Sequence, residues 1–314
     1  MCYDSAYSLG YARDNKSNSR LRIRGDNLNI NKNDFFCPGC NQVSSEKFLY
    51  HKAGVPVIQC PTCGLGKACP DEFNPEVYYD ASYFNGNRSD GYSDYLGARY
   101  VLQDHFQKEL DLLKKLGAKK GELLELGCAY GYFLEVAQHS YKVNGLEICE
   151  AAVADCQARG LSGVRHGAIS SETLSSMPMA DVVVLLDVIE HLPEPRLALE
   201  AAVSKLHPRG LLLITTGDFS SLCAKMMGRH WRLMTPPQHL WFFTPRSLKQ
   251  MGESLGLDLI YLDHPFKKVP LGLIVYQLCR YLSLSPRLPS WMHRVGLPIN
   301  LFDAMRVVLQ KRES

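Results

Sequence analysis

An acid stands two positions ahead of the first glycine in the stretch LLELGCAYGYFLEVA, residues 123–137. A dinucleotide-binding turn reads GxGxxG and needs no acid before it, because its glycines bring backbone amides up to a pyrophosphate. Here the pattern is Glu125-x-Gly127-x-Ala129-x-Gly131. A carboxylate at Glu125 repels a pyrophosphate and accepts hydrogen bonds from an ammonium group. A ligand without phosphates, carrying an amino-acid ammonium beside an adenosine, satisfies it, and S-adenosylmethionine fits that description. Glu147 closes the next apolar run, VNGLEI, where a carboxylate can take both ribose hydroxyls. NAD enzymes also place an acid there, so Glu125 rather than Glu147 decides the ligand. Singly, either is an ordinary carboxylate at a strand end; in register, the two point to a cofactor.

A second set of residues suits a metal. Cys37, Cys40, Cys60 and Cys63 form two C-x2-C pairs, each reading CPxC before a small polar residue or glycine. Four thiolates at such spacing suit a closed, structural zinc site. The competing reading is redox-active thiols, for which one pair suffices. Cys69 and His51 are spare donors, read as surface residues.

These residues need elements to hold them. A strand at about 121–126 leads into a helix at 131–140; KVNGLEI, GVRHG, ADVVVLLDV and GLLLITTG read as further strands with helical stretches between them. Strands alternating with helices predict a doubly wound, mostly parallel α/β sheet. Near the end LDLIYLDH and AMRVVLQK alternate apolar and polar residues, as an antiparallel pair at one edge does. The expected organisation is an arm at 1–34, a zinc-ribbon module at 35–70, an aromatic connector and helical lid at 71–118, and a cofactor-binding domain at 119–314. Substrate-side insertions fall at 217–245 and 265–302 within it.

The net charge of +3 argues against nucleic acid as the main partner. The first residues are polar, with no apolar signal core, and no run of 18 apolar residues occurs. Paired CxxC motifs among eleven cysteines point to a reducing compartment with a metal site, and the expected location is cytoplasmic.

The four motifs LLELGCAYGYFLEVA, VNGLEICEAAV, ADVVVLLDVIEHLPEP and PRGLLLITTGD resemble, in order, those of class I S-adenosylmethionine-dependent methyltransferases. The likeness is to the bacterial group of ubiquinone-biosynthesis O-methyltransferases and of polysaccharide and natural-product methyltransferases, over about residues 75–311. It implies a seven-stranded Rossmann-like fold with S-adenosylmethionine as cofactor. It places Glu125, Gly127 and Gly131, with Cys128 and Ala129 between them, on the loop that holds the methionine end. Glu147, beside Ile148, falls on the ribose-binding acid, Asp187 falls near the sulfonium, and Tyr83 falls over the cofactor. Two departures stand out. Ala129 replaces a glycine, which is tolerable if its φ is negative. Gly167, Ala168 and Ile169 stand where the family often has an acid for the adenine amino group.

Methyl transfer needs alignment and a desolvated path more than covalent help, and a hydroxyl acceptor gains from a nearby base. His239 in PPQHLWFF is the first candidate, His191 in VIEHL the second and His230 a third, while Tyr79, Tyr83 and Tyr92 could form a lid. The bland alternative makes QHLWFF a structural strand or turn in which His239 caps backbone groups, His191 a helix-start residue under the sheet's carboxyl edge, and the tyrosines plain packing. The apolar, basic segment 265–302 reads first as core or dimer burial and second as contact with a lipid-linked acceptor. The leading functional reading is methylation of a small-molecule hydroxyl on a glycan, lipid-linked intermediate or secondary metabolite. An RNA methyltransferase using the zinc ribbon, and an inactive cofactor-binding scaffold, are the alternatives.

Overall fold

The computed structural model describes residues 20–23, 26–29, 34–79, 99–272, 275, 279, 289 and 291–313. Tyr83, Tyr92, Arg280 and Arg287 lie outside them, as does most of the expected arm. Strands β1 (Arg20–Ile23) and β2 (Asp26–Asn29) pair antiparallel. The cysteine module comprises β3 (Asp34–Cys37), β4 (Gln42–Ser45), β5 (Lys47–Lys52), β6 (Val55–Gln59) and β7 (Gly66–Ala68). Among the described residues α1 (Pro75–Tyr78) and α2 (Arg99–Lys115) follow.

The alternating region then folds as expected: β8 (Glu122–Leu126), α3 (Tyr132–Ala137), β9 (Lys142–Glu147), α4 (Glu150–Ala158), β10 (Val164–His166), α5 (Ser171–Ser175), β11 (Ala180–Leu186), α6 (Pro195–Ser204) and β12 (Leu206–Gly217). After it come α7 (Leu222–Met227), β13 (Trp241–Phe242), α8 (Pro245–Ser254), β14 (Leu257–Asp263), β15 (Lys267–Pro270), α9 (Trp291–Arg294), β16 (Gly296–Ile299) and β17 (Ala304–Lys311). Seven strands form one sheet in the order β10-β9-β8-β11-β12-β17-β14. The first five run parallel, and β17 inserts antiparallel between β12 and β14. This is a Rossmann-like doubly wound sheet. At its centre β11 is a continuous apolar run, and Val182 to Leu185 are fully buried, as a strand covered on both faces requires.

A buried ion network fixes α2 to the antiparallel edge. Arg306 on β17 donates through Nη1 to Glu109 at 3.0 Å and through Nε and Nη2 to Asp263 at 3.0 and 2.7 Å. Glu109 is fully buried, so removing Arg306 leaves an uncompensated charge, a cost of about 3–5 kcal/mol.

The cysteine module and the large sheet share structure. β13 pairs antiparallel with β7 and completes a four-stranded sheet, β13-β7-β6-β5. Phe35, Ile58, Cys60 and Leu65 pack in one apolar cluster with Leu240, Leu248 and Met251. Thr244 joins them chemically. Its Oγ1 caps α8 by accepting from Ser247 N and donates to the Cys63 carbonyl at 3.0 Å. Pro245 at the first helical position completes the start signal. Cys69, read from the sequence as a surface residue, is buried and disulfide-bonded.

Candidate functional site

A cavity of about 650 Å³ opens at the carboxyl ends of β8, β9 and β11, where open α/β sheets take ligands. Glu125, Gly127, Cys128, Ala129, Glu147, Ile148 and Asp187 all line it. Gly131 does not; it sits at the N-cap of α3 with φ 67°, where a Cβ would meet Leu161 Cδ1 at 2.7 Å and Cys156 Sγ at 2.9 Å. Its hydrogen is required by packing, and it shapes the loop from behind. Gly127 has φ 74°, and a Cβ there would meet Val188 Cγ2 at 2.7 Å.

Ala129 corrects the sequence reading. Its φ is +45°, so the condition for a harmless methyl group is not met. The left-handed conformation is held by its own N–H, which donates to Glu147 Oε2 at 2.8 Å. Glu147 Oε1 accepts from Cys149 N, also at 2.8 Å, so both oxygens already hold the loop and offer only their remaining lone pairs to a ligand. Burial raises the Glu147 pKa against these hydrogen bonds. Glu125 is buried too, and its Oε2 has no hydrogen-bond partner among the described residues. Burial first, then the neighbouring Cys156 and Glu147 charges, push its pKa well above the usual carboxylate range. A buried, unsatisfied acid on a cavity wall awaits a cationic donor. Asp187 is a further strained position, with φ 54°, locked by Thr215 through Asp187 N to Thr215 O and Oγ1, each at 3.0 Å. Gly167, Ala168 and Ile169 line the side where the adenine acid is missing, joined by Ser170 and Ser171.

The histidines separate. His191 lines the cavity, and its Nδ1–H donates to the Gln238 carbonyl at 2.9 Å with Tyr79 Oη at 2.7 Å. His239 is not on the cavity wall. It stacks edge-on behind His191, ring centres 4.7 Å apart, and its Nδ1–H donates to the Leu233 carbonyl at 2.7 Å. Burial, reinforced by His191, pushes its pKa down to about 3, and burial also lowers that of His191. Glu190, beside them and buried, brings a carboxylate oxygen within 4.8 Å of a donor nitrogen on each ring. His230 is exposed on the surface and does not line the cavity. Sequence reasoning missed His105, also on the wall, whose Nε2 lies 3.5 Å from Glu109 Oε1. The signal was present: an acid four residues after a histidine on the apolar face of a helix.

Cys37, Cys40, Cys60 and Cys63 each bring Sγ within 4.8 Å of the others, with Cys37 to Cys63 at 3.4 Å and Cys40 to Cys60 at 3.8 Å. Tetrahedral zinc with bonds of about 2.3 Å sets its sulfurs about 3.8 Å apart, so the cluster fits a zinc ribbon. Asn41 and Gly64, both at positive φ, turn their amides back to the Cys37 and Cys60 carbonyls at 2.9 Å. The Cys37 hydrogen bond pulls Cys63 down to about 6, while the same bond pushes Cys37 up.

The cluster also touches the cavity through β13. Leu240 N donates to the Glu190 carbonyl at 2.9 Å, and Trp241 Nε1 to the Leu192 carbonyl at 2.9 Å.

The sequence profile of the methyltransferase-domain family matches residues 98–262, more than half of the chain. The chain belongs to the methyltransferase-domain family. The cysteine module and β15 to β17 lie outside the match. The ubiquinone biosynthesis O-methyltransferase of Idiomarina loihiensis is 27% identical over 154 residues, covering 45% of this chain and 63% of that one. That of Pseudomonas fluorescens is 30% identical over 185 residues, covering 55% and 76%. The chain thus spans under two thirds of the length of the Idiomarina relative and of those from Cupriavidus, Leptothrix and Aeromonas, at 62–65%. Magnesium protoporphyrin IX methyltransferase from Synechocystis, solved with bound SAH, shares 14% identity over 71% of this chain and 90% of its own, with a TM-score of 0.45.

Proposed function

We propose that this chain is an S-adenosylmethionine-dependent methyltransferase acting on a small molecule, at a hydroxyl of a glycan, a lipid-linked intermediate or a secondary metabolite. The observation that carries this reading is Glu125: a buried acid with a bare oxygen, on the wall of the cavity, in a family of methyltransferase domains. The residues present fit the cofactor. Glu125 takes the ammonium, Gly127 lets the chain approach closely, Glu147 takes the ribose hydroxyls, and Gly167 to Ile169 border the adenine. Cys128, Ala129, Gly131, Ile148 and Asp187 shape the same pocket. When bound, the cofactor supplies an electrophilic methyl group. Everything else is this chain's own work: closing the cavity with Tyr79, aligning the acceptor, and accepting its proton.

His191 is the proton acceptor in this reading. Its lowered pKa keeps it neutral near pH 7, and the donated Nδ1–H leaves the lone pair on Nε2. His239 positions it by packing its ring and holding the segment from Leu233 to Gln238 in place. Cys37, Cys40, Cys60 and Cys63 hold a structural zinc that takes no part in the chemistry. Peripheral contact with a lipid-linked acceptor fits the same reading.

Calorimetric titration of the purified chain with S-adenosylhomocysteine tests it, alongside native mass spectrometry for zinc. Saturable one-to-one binding that Glu125→Ala abolishes is expected. Absence of binding in the unmodified, zinc-loaded chain defeats the reading. His191→Gln is expected to lower kcat by about 10²-fold or more with cofactor affinity unchanged.

A further inference from the structure

We propose that the face formed by α7 and the described part of segment 264–302 docks this chain onto an anionic lipid bilayer. Two separate sequence distributions overlap in the two segments that supply it, the first of which also runs into α8 with Arg246 and Lys249. Residues 219–252 and 264–302 hold ten of the 35 Lys and Arg and not one Asp or Glu. The other 25 are outnumbered by the 32 acids, so the net charge of +3 conceals two basic segments in an otherwise acidic chain. The same two segments hold nine of the thirteen exposed large apolar side chains among the described residues.

On α7, Leu222 is 74% and Met226 77% exposed, with Lys225 and Arg229 exposed beside them. In the second segment Phe266 is 58% and Phe302 62% exposed. Side-chain bonds tie each segment to the acid that borders the other. His264 Nε2 meets Asp218 Oδ2 at 2.9 Å, and Asn300 donates to the His264 carbonyl at 2.8 Å. Asp303 accepts from Trp231 at 2.8 Å and from both arms of Arg232 at 2.9 and 2.8 Å. Asp218 and Asp303, the acids that border the face, are buried and paired; Asp303 takes up Arg232, and no acid pairs with Lys225 or Arg229 among the described residues.

Cations alone would suit RNA, and apolar side chains alone a protein partner. Together they suit the interfacial layer of a bilayer, where anionic headgroups overlie acyl chains. Among the described residues no helix is long and apolar enough to cross a membrane, so the contact is peripheral. α2, which carries the cavity residues Leu102 and His105, packs against β15 in the second segment. The docking face thus adjoins the cavity, and the inference names the surface on which the proposed methyl acceptor is met. It does not require that methyl transfer occur.

The test is flotation of the whole zinc-loaded chain with vesicles of phosphatidylcholine alone and of phosphatidylcholine mixed equally with phosphatidylglycerol. Binding to the mixed vesicles only, weakening as salt rises, is expected. Lys225→Gln with Arg229→Gln is expected to weaken partition about 30-fold, at about fivefold per cation. Leu222→Ser with Met226→Ser is expected to weaken it about tenfold or more. S-adenosylhomocysteine affinity should be unchanged in both variants, which also reports that they fold. No binding to mixed vesicles overturns the proposal, as does binding indifferent to the Leu222 and Met226 changes. Equal retention on polyuridylate RNA, or a dimer that the same changes dissolve, overturns it as well. Loss of the cofactor reading with vesicle binding intact would defeat the proposed function and leave this inference standing.

Discussion

Replacing Gly127 with alanine separates two costs that the loop after β8 imposes. The first is conformational: at φ 74° a non-glycine residue costs about 1–2 kcal/mol. The second is steric, since the new Cβ would stand 2.7 and 3.0 Å from the two γ-methyl groups of Val188. Crowding of that kind costs about 1–3 kcal/mol. Alanine returns about 0.4–1 kcal/mol by stiffening the unfolded chain. A net loss near 2.5 kcal/mol follows, or a fall in Tm of roughly 5–10 °C at about 2–4 °C per kcal/mol. Scanning calorimetry reads the first number, and urea titration checks it. Val188→Ala in the same chain should recover the steric share while the conformational share remains. The double-mutant cycle should therefore give a favourable coupling of about 1 kcal/mol or more. Because Val188 also lines the cavity, Gly127→Ala should weaken S-adenosylhomocysteine binding. An unchanged Tm would refute both the close approach and the left-handed turn, and zero coupling with Val188→Ala would refute the close approach.

Other outcomes follow from the same geometry. Glu125 has its folded pKa raised by burial above the ordinary 4.5, so the fold favours its protonated form. Its contribution is present below pH 4.5 and is lost as pH rises through the folded value, so denaturant midpoints of the ligand-free chain should fall over that range. Glu125→Gln should remove that part of the slope and should also lose cofactor affinity. Cys63→Ser should abolish zinc in elemental analysis and raise susceptibility to proteolysis, because the metal's binding energy is folding energy for so small a module. Thr244→Ala removes both a helix cap and the bond to the Cys63 carbonyl, a cost of about 1–2 kcal/mol in urea titration. The same variant should release metal to a chelator faster than the unmodified chain.

Much of the sheet was legible because local signals agreed. The apolar run 182–185 of β11 carries its burial on its face, whereas β17, whose apolar–polar alternation promised one solvated face, lies between β12 and β14 and is buried over 304–309. The loop after β8 declared its turn through Gly127 and Gly131, both at positive φ. The left-handed φ of Ala129 was not legible, because it is imposed from a distance by Glu147, 18 residues on. β13 is the structural strand that the plainer reading of QHLWFF allowed; its partner was not legible, since two residues have no period and the strand exists only because β7 offers it an edge. The histidines show the same limit. PPQHLWFF promises an imidazole in a lid, yet the Leu233 carbonyl and the His191 ring turn His239 away from the cavity. His105 carried its signal in the acid four residues on, but its place on the cavity wall, with Glu109 and Arg306 behind it, is set by the packing of α2.

The strand that completes the cysteine sheet has a consequence during synthesis. Gly66–Ala68 leave the ribosome long before their partners Trp241 and Phe242 exist. At about 5–20 residues per second the wait is roughly 10–35 s. For that time the module carries a raw strand edge, with Val57 and Leu65 lacking the covering they have in the finished chain. Zinc captured early, in the site proposed for it, would give the nascent module a fixed shape to wait in, and metal starvation would then expose that edge to other chains. Such a site would guard the yield of folded protein at the moment of birth, a duty distinct from anything it does for the mature cavity.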